Sequence, residues 1–404
     1  MRLIAAAVAV SVIALAAITS VPRSATSAAA PPPDGQAIFR FDTFGDEQLW
    51  TKVLRMQEVI ATSLSPKAAL SLGLKVDVEA LPAEIITALQ AGQVNLNDPA
   101  VTVKLLELNA VVGVIGDVNP SGRLKSVGIT CALCHSTVDN SFAPGIGKRL
   151  DGWANRDLDV GKIVATSPAI APALKAELNA WGPGKYDPRH HIFDGKKIVV
   201  LNTPSLPVVL PSIYGLQGIG FETFTGDGPI SYWNAYVGVS QMGGHGSFSD
   251  PRIGVTITQT PDLVTPKLPA LLAYQLSLNS PRASQPGTFN LEAARRGEGL
   301  FNGAANCSSC HTPPLYTDVM SGPNPSTPLL HNPAAVGQDA RYAQRSATKQ
   351  YRTTPLRALW QHPPYFHDGS APDLQAVVER YNQLFGLNLD TAQKTDLVEF
   401  LKSL

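Results

Sequence analysis

The sequence predicts a mainly α chain: two small helical domains in tandem, with long loops and a helical N-terminal extension. Three observations predict it. A Cys-x-x-Cys-His run occurs twice, at Cys131-Ala132-Leu133-Cys134-His135 and at Cys307-Ser308-Ser309-Cys310-His311, and the two runs use all four cysteines. Apolar residues recur at the helical period around both runs. Between them, residues 183–266 are rich in glycine, proline and aromatics, which is the composition of a functional or ligand-wrapping region.

A Cys-x-x-Cys-His run is the attachment pattern of c-type haem. Two thiols on one short turn can each bond a haem vinyl group, and the histidine after them is held under the ring, where it can ligate the iron. The alternative for paired cysteines is zinc, but zinc sites need a complete ligand set and rarely place histidine directly after the second cysteine. Two covalently bound c-type haems are therefore expected. Cys131, Cys134, Cys307 and Cys310 carry the attachment, and His135 and His311 are the iron ligands.

At 404 residues the chain has room for two or three domains. A hydrophobic fraction of 44% argues against wholesale disorder. The 32 basic residues balance 32 acidic ones, which gives no support to nucleic acid or an acidic membrane surface as a partner. Residues 1–30 read as an export signal: Arg2, then an apolar run over 3–18, then small residues over 24–30. The run is shorter than a comfortable membrane span and Pro31-Pro32-Pro33 follows it, so cleavage is the expectation and a retained anchor the alternative. The expected address is the periplasm.

Taken in order, residues 31–125 are the helical extension, with helices expected over 46–61, 81–91 and 101–112 and a short strand over 72–78. Residues 126–280 form the first haem domain. Its run is expected on a turn between helices, followed by a glycine-rich loop over 145–153 that suits close approach to a flat cofactor. Helices are expected over 157–164 and 168–180. A Ser/Pro/Gln linker at 279–287 leads to the second haem domain, 288–404. There Asn290 caps a helix on which Gly297 and Phe301 share a face. Asp390 and Gln393 have capping-box spacing at the start of the last helix, whose stripe is Leu397, Phe400, Leu401 and Leu404. A helix just before the haem run crossing a C-terminal helix resembles the way small class I cytochrome c domains close.

A more specific resemblance lies beyond the second run. Tyr351-Arg352-Thr353-Thr354-Pro355-Leu356-Arg357, followed by Pro364-Tyr365-Phe366-His367-Asp368-Gly369, resembles the C-terminal domain of bacterial di-haem cytochrome c peroxidases and the related MauG-type enzymes. The resemblance covers residues 292–404 well. It is looser over 128–233, where Asn202-Thr203-Pro204 is similar to an Asn-x-Pro-Thr run, and it does not reach 37–123. Haem-dependent rubber oxygenases are distant relatives in the same superfamily, so the resemblance leaves the reaction open. It implies a sixth iron ligand on the helix after His-Asp-Gly, at the position of Tyr381. The helical pattern agrees, with Leu374, Val377, Val378 and Tyr381 on one face. His362, His367, His331 and Met320 are rivals. For the first haem the resemblance implies a distal histidine, for which His190 and His191 are candidates, with Met242 and His245 farther on. The family's distal acid has no clear counterpart, and Glu222 and Asp227 are the candidates. Trp233 reads first as a packing aromatic and second as an electron relay.

The function expected is an exported di-haem oxidoreductase. One haem, that on His135, binds peroxide or another oxygen species, with His191 and Glu222 as catalytic groups and Met242 as an alternative ligand. The other, on His311 and Tyr381, relays electrons from a small cytochrome c or cupredoxin. The alternatives are a non-catalytic two-haem electron carrier and the oxidation of an organic or protein substrate.

Overall fold

Helices make up most of the regular structure, and the strands are short, paired in six two-stranded sheets among the described residues. The computed structural model describes residues 34–282 and 288–404, all within the unit Pro33–Leu404. The expected export signal at 1–30 lies outside the described residues, as do 283–287 of the expected linker.

The N-terminal segment is not wholly helical. Helix Gly35–Phe41 starts on Asp34, whose carboxylate accepts from Gln36 N and Ala37 N. The stretch 46–61, expected as one helix, is two: a π-helical turn Gln48–Val53 and helix Met56–Ser63, separated by Arg55 at φ 57°. Val76–Asp77 is the short strand expected near there, paired in parallel with Ile146–Gly147. Helix Pro99–Glu107 stops early, because Asn109 and Gly113 take left-handed φ values of 52° and 76°. The β-branched residues beyond them enter an antiparallel hairpin, Val114–Val118 with Leu124–Ile129. Asn119 Oδ1 organises its turn, accepting from Ser121 N at 3.1 Å and Arg123 N at 2.9 Å.

That hairpin delivers the chain into the first Cys-x-x-Cys-His run. The run forms a single helical turn, Ala132–His135, between strands Leu124–Ile129 and Ser136–Val138 rather than between two helices. Phe39, Leu54 and Leu106 pack with Leu133, Leu158, Leu216 and Leu271 in one apolar cluster. Each fully buried side chain of this size contributes about 1.5–3 kcal/mol. The N-terminal segment thus builds part of the wall around the first run.

The second half matches its expectation closely. Helix Leu291–Asn302 is capped by Asn290 Oδ1, which accepts from Ala293 N at 3.0 Å. It crosses helix Thr391–Ser403, which begins with the Asp390/Gln393 capping box. At the crossing a Cβ on Gly297 would lie 2.0 Å from Asp396 O, so only glycine fits. One turn on, the Phe301 and Phe400 rings meet with centroids 5.1 Å apart. Helix Leu374–Phe385 starts on Asp373 and ends at Gly386, φ 60°. Its apolar residues join those of the crossing pair in a second cluster.

Buried ion pairs fasten the halves together. Arg345 Nη1 lies 3.0 Å from Asp187 Oδ2, and Arg352 Nη1 lies 3.0 Å from Glu222 Oε2. Asp227 receives Arg189 Nη2 at 2.6 Å and the Ala347 backbone N–H at 2.7 Å.

Candidate functional site

Behind the first run lies an apolar cavity of about 220 Å³. Cys131, Cys134 and His135 open onto it, and Leu133, Val160, Leu178, Phe193 and Leu210 are among its walls. Both thiols are free and are pushed up to about 12 by burial. His135 Nδ1 lies 3.0 Å from the Pro211 carbonyl. A carbonyl only accepts, so Nδ1 carries the proton and Nε2 keeps a bare lone pair. Burial pushes the imidazole down to about 4, which keeps it neutral and fit to ligate. The glycines of 145–153 do not face the cavity as expected: Cβ atoms on Gly145, Gly147 and Gly152 would meet Leu70, Asp139 and Leu278, with Tyr214 also against Gly152.

Of the distal candidates, His191 and Met242 line the cavity, whereas His190 and His245 do not. His191, in strand His191–Phe193, is buried, and desolvation, with His190 beside it, pushes it down to about 4. Its Nε2 has no hydrogen-bond partner. His245 Nδ1 sits 3.3 Å from Gln48 Oε1, behind the wall. Glu222 is not on the wall, although Thr223 and Phe224 are. Its carboxylate is taken up by Arg352, and Asp227 by Arg189. Trp233 lines the cavity, donates to Glu222 O at 3.2 Å and stacks under Arg189 with 5.4 Å to the ring centre, which accounts for it as packing.

At the second run the histidine is prepared in the same way. His311 Nδ1 lies 3.0 Å from the Tyr316 carbonyl, and the Thr354 backbone is also near the ring. Tyr316 presents that carbonyl from φ 53°, uncommon for a bulky residue. Burial holds the His311 imidazole below its ordinary value. Tyr381 is the candidate left with a free donor. Burial pushes its phenol up to about 12, with the Cys307 and Cys310 thiols adding to the shift, so the three are neighbours. Its ring stacks on Phe385 and meets Phe366 edge-on, both at 5.8 Å, and its hydroxyl makes no hydrogen bond among the described residues. The rivals are engaged. His367 Nε2 faces Tyr351 Oη and its Nδ1 faces Gln338 Oε1, each at 3.2 Å. His331 is paired with Asp318 at 2.9 Å, and His362 Nε2 faces Arg357 O at 3.3 Å. The Met320 sulfur accepts from Gly220 N.

Two further residues stand out. Arg156 and Arg357 are half-buried, with no ion pair among the described residues; they donate to the Pro364 and Gly215 carbonyls, and desolvation pushes Arg156 down to about 10. Unpaired buried cations are costly. Haem carries two carboxylate arms, and two cations without an anionic partner, with the apolar cavity and the neutral His135 imidazole, fit that group. Arg357 lies inside the quoted 351–357 segment, although no role for it follows from spacing alone; nothing in the sequence marks Arg156.

A Cys-x-x-Cys-His turn whose imidazole is neutral and opens on an apolar cavity suits a haem site. No family model matches the chain. Among curated proteins it is 31% identical over 154 residues to the cytochrome-c peroxidase IdrP2 of Pseudomonas sp. (strain SCT), covering 30% of this chain and 42% of that protein. It is 28% identical over 129 residues to the methylamine utilization protein MauG of Methylorubrum extorquens, covering 28% of this chain and 34% of that one. The chain is related to the di-haem peroxidase and MauG superfamily, and the matches span less than half of each relative. Among solved structures, a MauG-like protein associated with microbial copper homeostasis aligns with TM-score 0.35 at 20% identity, over 49% of this chain and 73% of that one. Kuenenia stuttgartiensis hydrazine synthase aligns with TM-score 0.34 at 19% identity, over 53% of this chain and 76% of that one. Among the described residues no helix is long and apolar enough to cross a membrane.

Proposed function

We propose that the chain is an exported, periplasmic oxidoreductase with two covalently held c-type haems in tandem domains, the reactive one on His135 and the electron-relaying one on His311 and Tyr381. The observation that carries this reading is an asymmetry. Both histidines have Nδ1 tied to a backbone carbonyl, but the first opens on an apolar cavity with His191 in its wall, and the second lies beside the free phenol of Tyr381. Bound there, haem supplies an iron that can hold peroxide or another oxygen species and exchange electrons.

The chain's own residues then have distinct tasks. Cys131 and Cys134 anchor the group, and the Pro211 carbonyl fixes the His135 ring. His191, on the cavity wall and pushed down to about 4 chiefly by burial, is the neutral imidazole that hydrogen-bonds the incoming oxygen species. Glu222 holds Arg352 in place rather than moving a proton itself. Met242 is the alternative ligand on the cavity wall. Leu384 and Phe385, exposed beside Tyr381, suit a small cytochrome or cupredoxin donor.

The test is electron paramagnetic resonance of the oxidised protein, with Tyr381→Phe alongside. One high-spin and one low-spin iron are expected, with the substitution changing only the low-spin signal. Two low-spin irons, together with no cyanide perturbation of either Soret band and no peroxide turnover, would instead make the chain an electron carrier.

A further inference from the structure

Glu177, His190 and His191 converge behind the cavity wall. Glu177 projects from helix Pro172–Asn179, and the two histidines sit at the start of strand His191–Phe193. One ligand atom from each lies within 4.8 Å of the others. His190 Nε2 straddles the carboxylate, 3.0 Å from Oε1 and 3.1 Å from Oε2. His191 Nε2 is 3.6 Å from Oε1, beyond hydrogen-bond length.

The Glu177 carboxylate needs a positive partner at this cluster, which either a second proton on His190 or a bound cation supplies. The Thr203 hydroxyl has one hydrogen, and it goes to the Arg189 carbonyl at 3.0 Å. Toward His190 Nδ1, at 3.4 Å, Thr203 Oγ1 can then only accept. A singly protonated His190 therefore carries its proton on Nδ1 and turns the Nε2 lone pair toward the carboxylate, an arrangement that a metal ion between them satisfies. His191 Nε2 is also buried and unpartnered, in a residue 8% exposed. Two nitrogen lone pairs and an anion facing one point call for a positive centre there. With Glu177 Oε1 as the oxygen donor, its separations of 3.0 Å from His190 Nε2 and 3.6 Å from His191 Nε2 bracket the ~3.3 Å between donors around a tetrahedral ion with bonds near 2.0–2.1 Å.

We propose that Glu177, His190 and His191 bind one divalent first-row transition ion, of the class that takes imidazole and carboxylate together, with zinc as the representative. Thr203 acts as a positioning residue, orienting the His190 ring from behind. The ion occupies Nε2 of His191 and thereby fixes that ring's one proton on Nδ1. Binding of the metal is independent of the oxidoreductase reading; only its effect on the task of His191 rests on that reading.

The experiment uses the haem-loaded protein, dialysed against chelator, equilibrated with zinc, desalted and assayed for metals. One zinc per chain beside the iron is expected, with zinc-edge absorption showing two imidazoles and oxygen. Glu177→Gln and His190→Ala lose the zinc while iron content and the Soret band stay unchanged, and Thr203→Val weakens zinc binding about 10-fold or more. The wild-type absorption spectrum needs no variant to fold. Substoichiometric zinc in the wild type, sulfur scattering at about 2.3 Å, or zinc retained by Glu177→Gln would overturn the site. Loss of peroxide turnover with zinc still bound counts against the oxidoreductase reading alone.

Discussion

Glu222 offers a sharp separation between a chemical and a structural carboxylate. Its partner Arg352 is equally hidden, with both side chains 5% exposed and the charged atoms 3.0 Å apart. Arg352 also donates to the Phe221 carbonyl, and its Nε has no partner, so little else balances the guanidinium. Removing one partner from a buried pair costs about 3–5 kcal/mol, because the surviving charge is left uncompensated. Glu222→Ala and Arg352→Met should each fall in that range. Glu222→Gln should cost less, about 2 kcal/mol, since its amide oxygen still accepts a hydrogen bond. The double variant Glu222→Met/Arg352→Met should lie well short of the sum, giving a coupling energy of about 3 kcal/mol. Urea unfolding followed by far-UV circular dichroism measures the stabilities, and peroxide turnover per folded haem is measured alongside. The reasoning is refuted if Glu222→Gln keeps its stability within about 0.5 kcal/mol and turnover collapses. The carboxylate would then be spent on chemistry.

Other perturbations follow from the same geometry. Gly297→Ala gains a little helix propensity, but its Cβ lands 2.0 Å from a backbone oxygen that cannot swing aside, so a net loss of about 2 kcal/mol is expected in the same unfolding assay. Phe301→Ala empties the Phe301–Phe400 contact and should cost about 3–5 kcal/mol, with the His311 haem spectrum disturbed before that of His135. His362 is pushed down to about 4 by burial, with Arg156 adding to it, from an ordinary value of 6.5. The unfolded chain therefore takes the proton first: stability present above pH 6.5 is lost as pH falls toward about 4 and levels off below, by about 3 kcal/mol at most. His362→Gln should flatten that acid limb of the urea midpoint against pH.

What was legible in the sequence was what is local. Asn290, Asp373 and Asp390 cap their helices through contacts three residues away, and the Gly297/Phe301 face follows from helical spacing, so the second half could be read almost directly. The hairpin ending at Ile129 could not, because Val111, Val112 and Val114 continue an apolar period that suits a helix until Asn109 and Gly113 turn the chain. The ion pairs Arg345–Asp187 and Arg352–Glu222 join residues more than a hundred positions apart and leave no period behind. Glu177 was missed for the same reason: it reaches the two histidines from another element, and a glutamate on a short helix reads as solvated surface.

The two proximal histidines carry this contrast into the sites themselves. His311 takes its carbonyl from Tyr316, five residues on, inside the turn that the run itself begins. His135 takes its carbonyl from Pro211, 76 residues on, across the glycine- and proline-rich region. The second site is therefore set by one short window of sequence and can be recognised there. The first depends on how a long loop region folds back, and that same region supplies His191, Glu222 and Asp227. A loop that both fixes the proximal ring and lines the cavity couples ligand strength to cavity shape: a change that moves Pro211 should alter the His135 iron's spectrum and the cavity together, while leaving His311 untouched. Under the proposed function, chemistry that needs a tunable iron beside a shaped apolar cavity is better served by that arrangement, which is the physical argument for proposing the reaction at His135 even though the sequence match is stronger around His311.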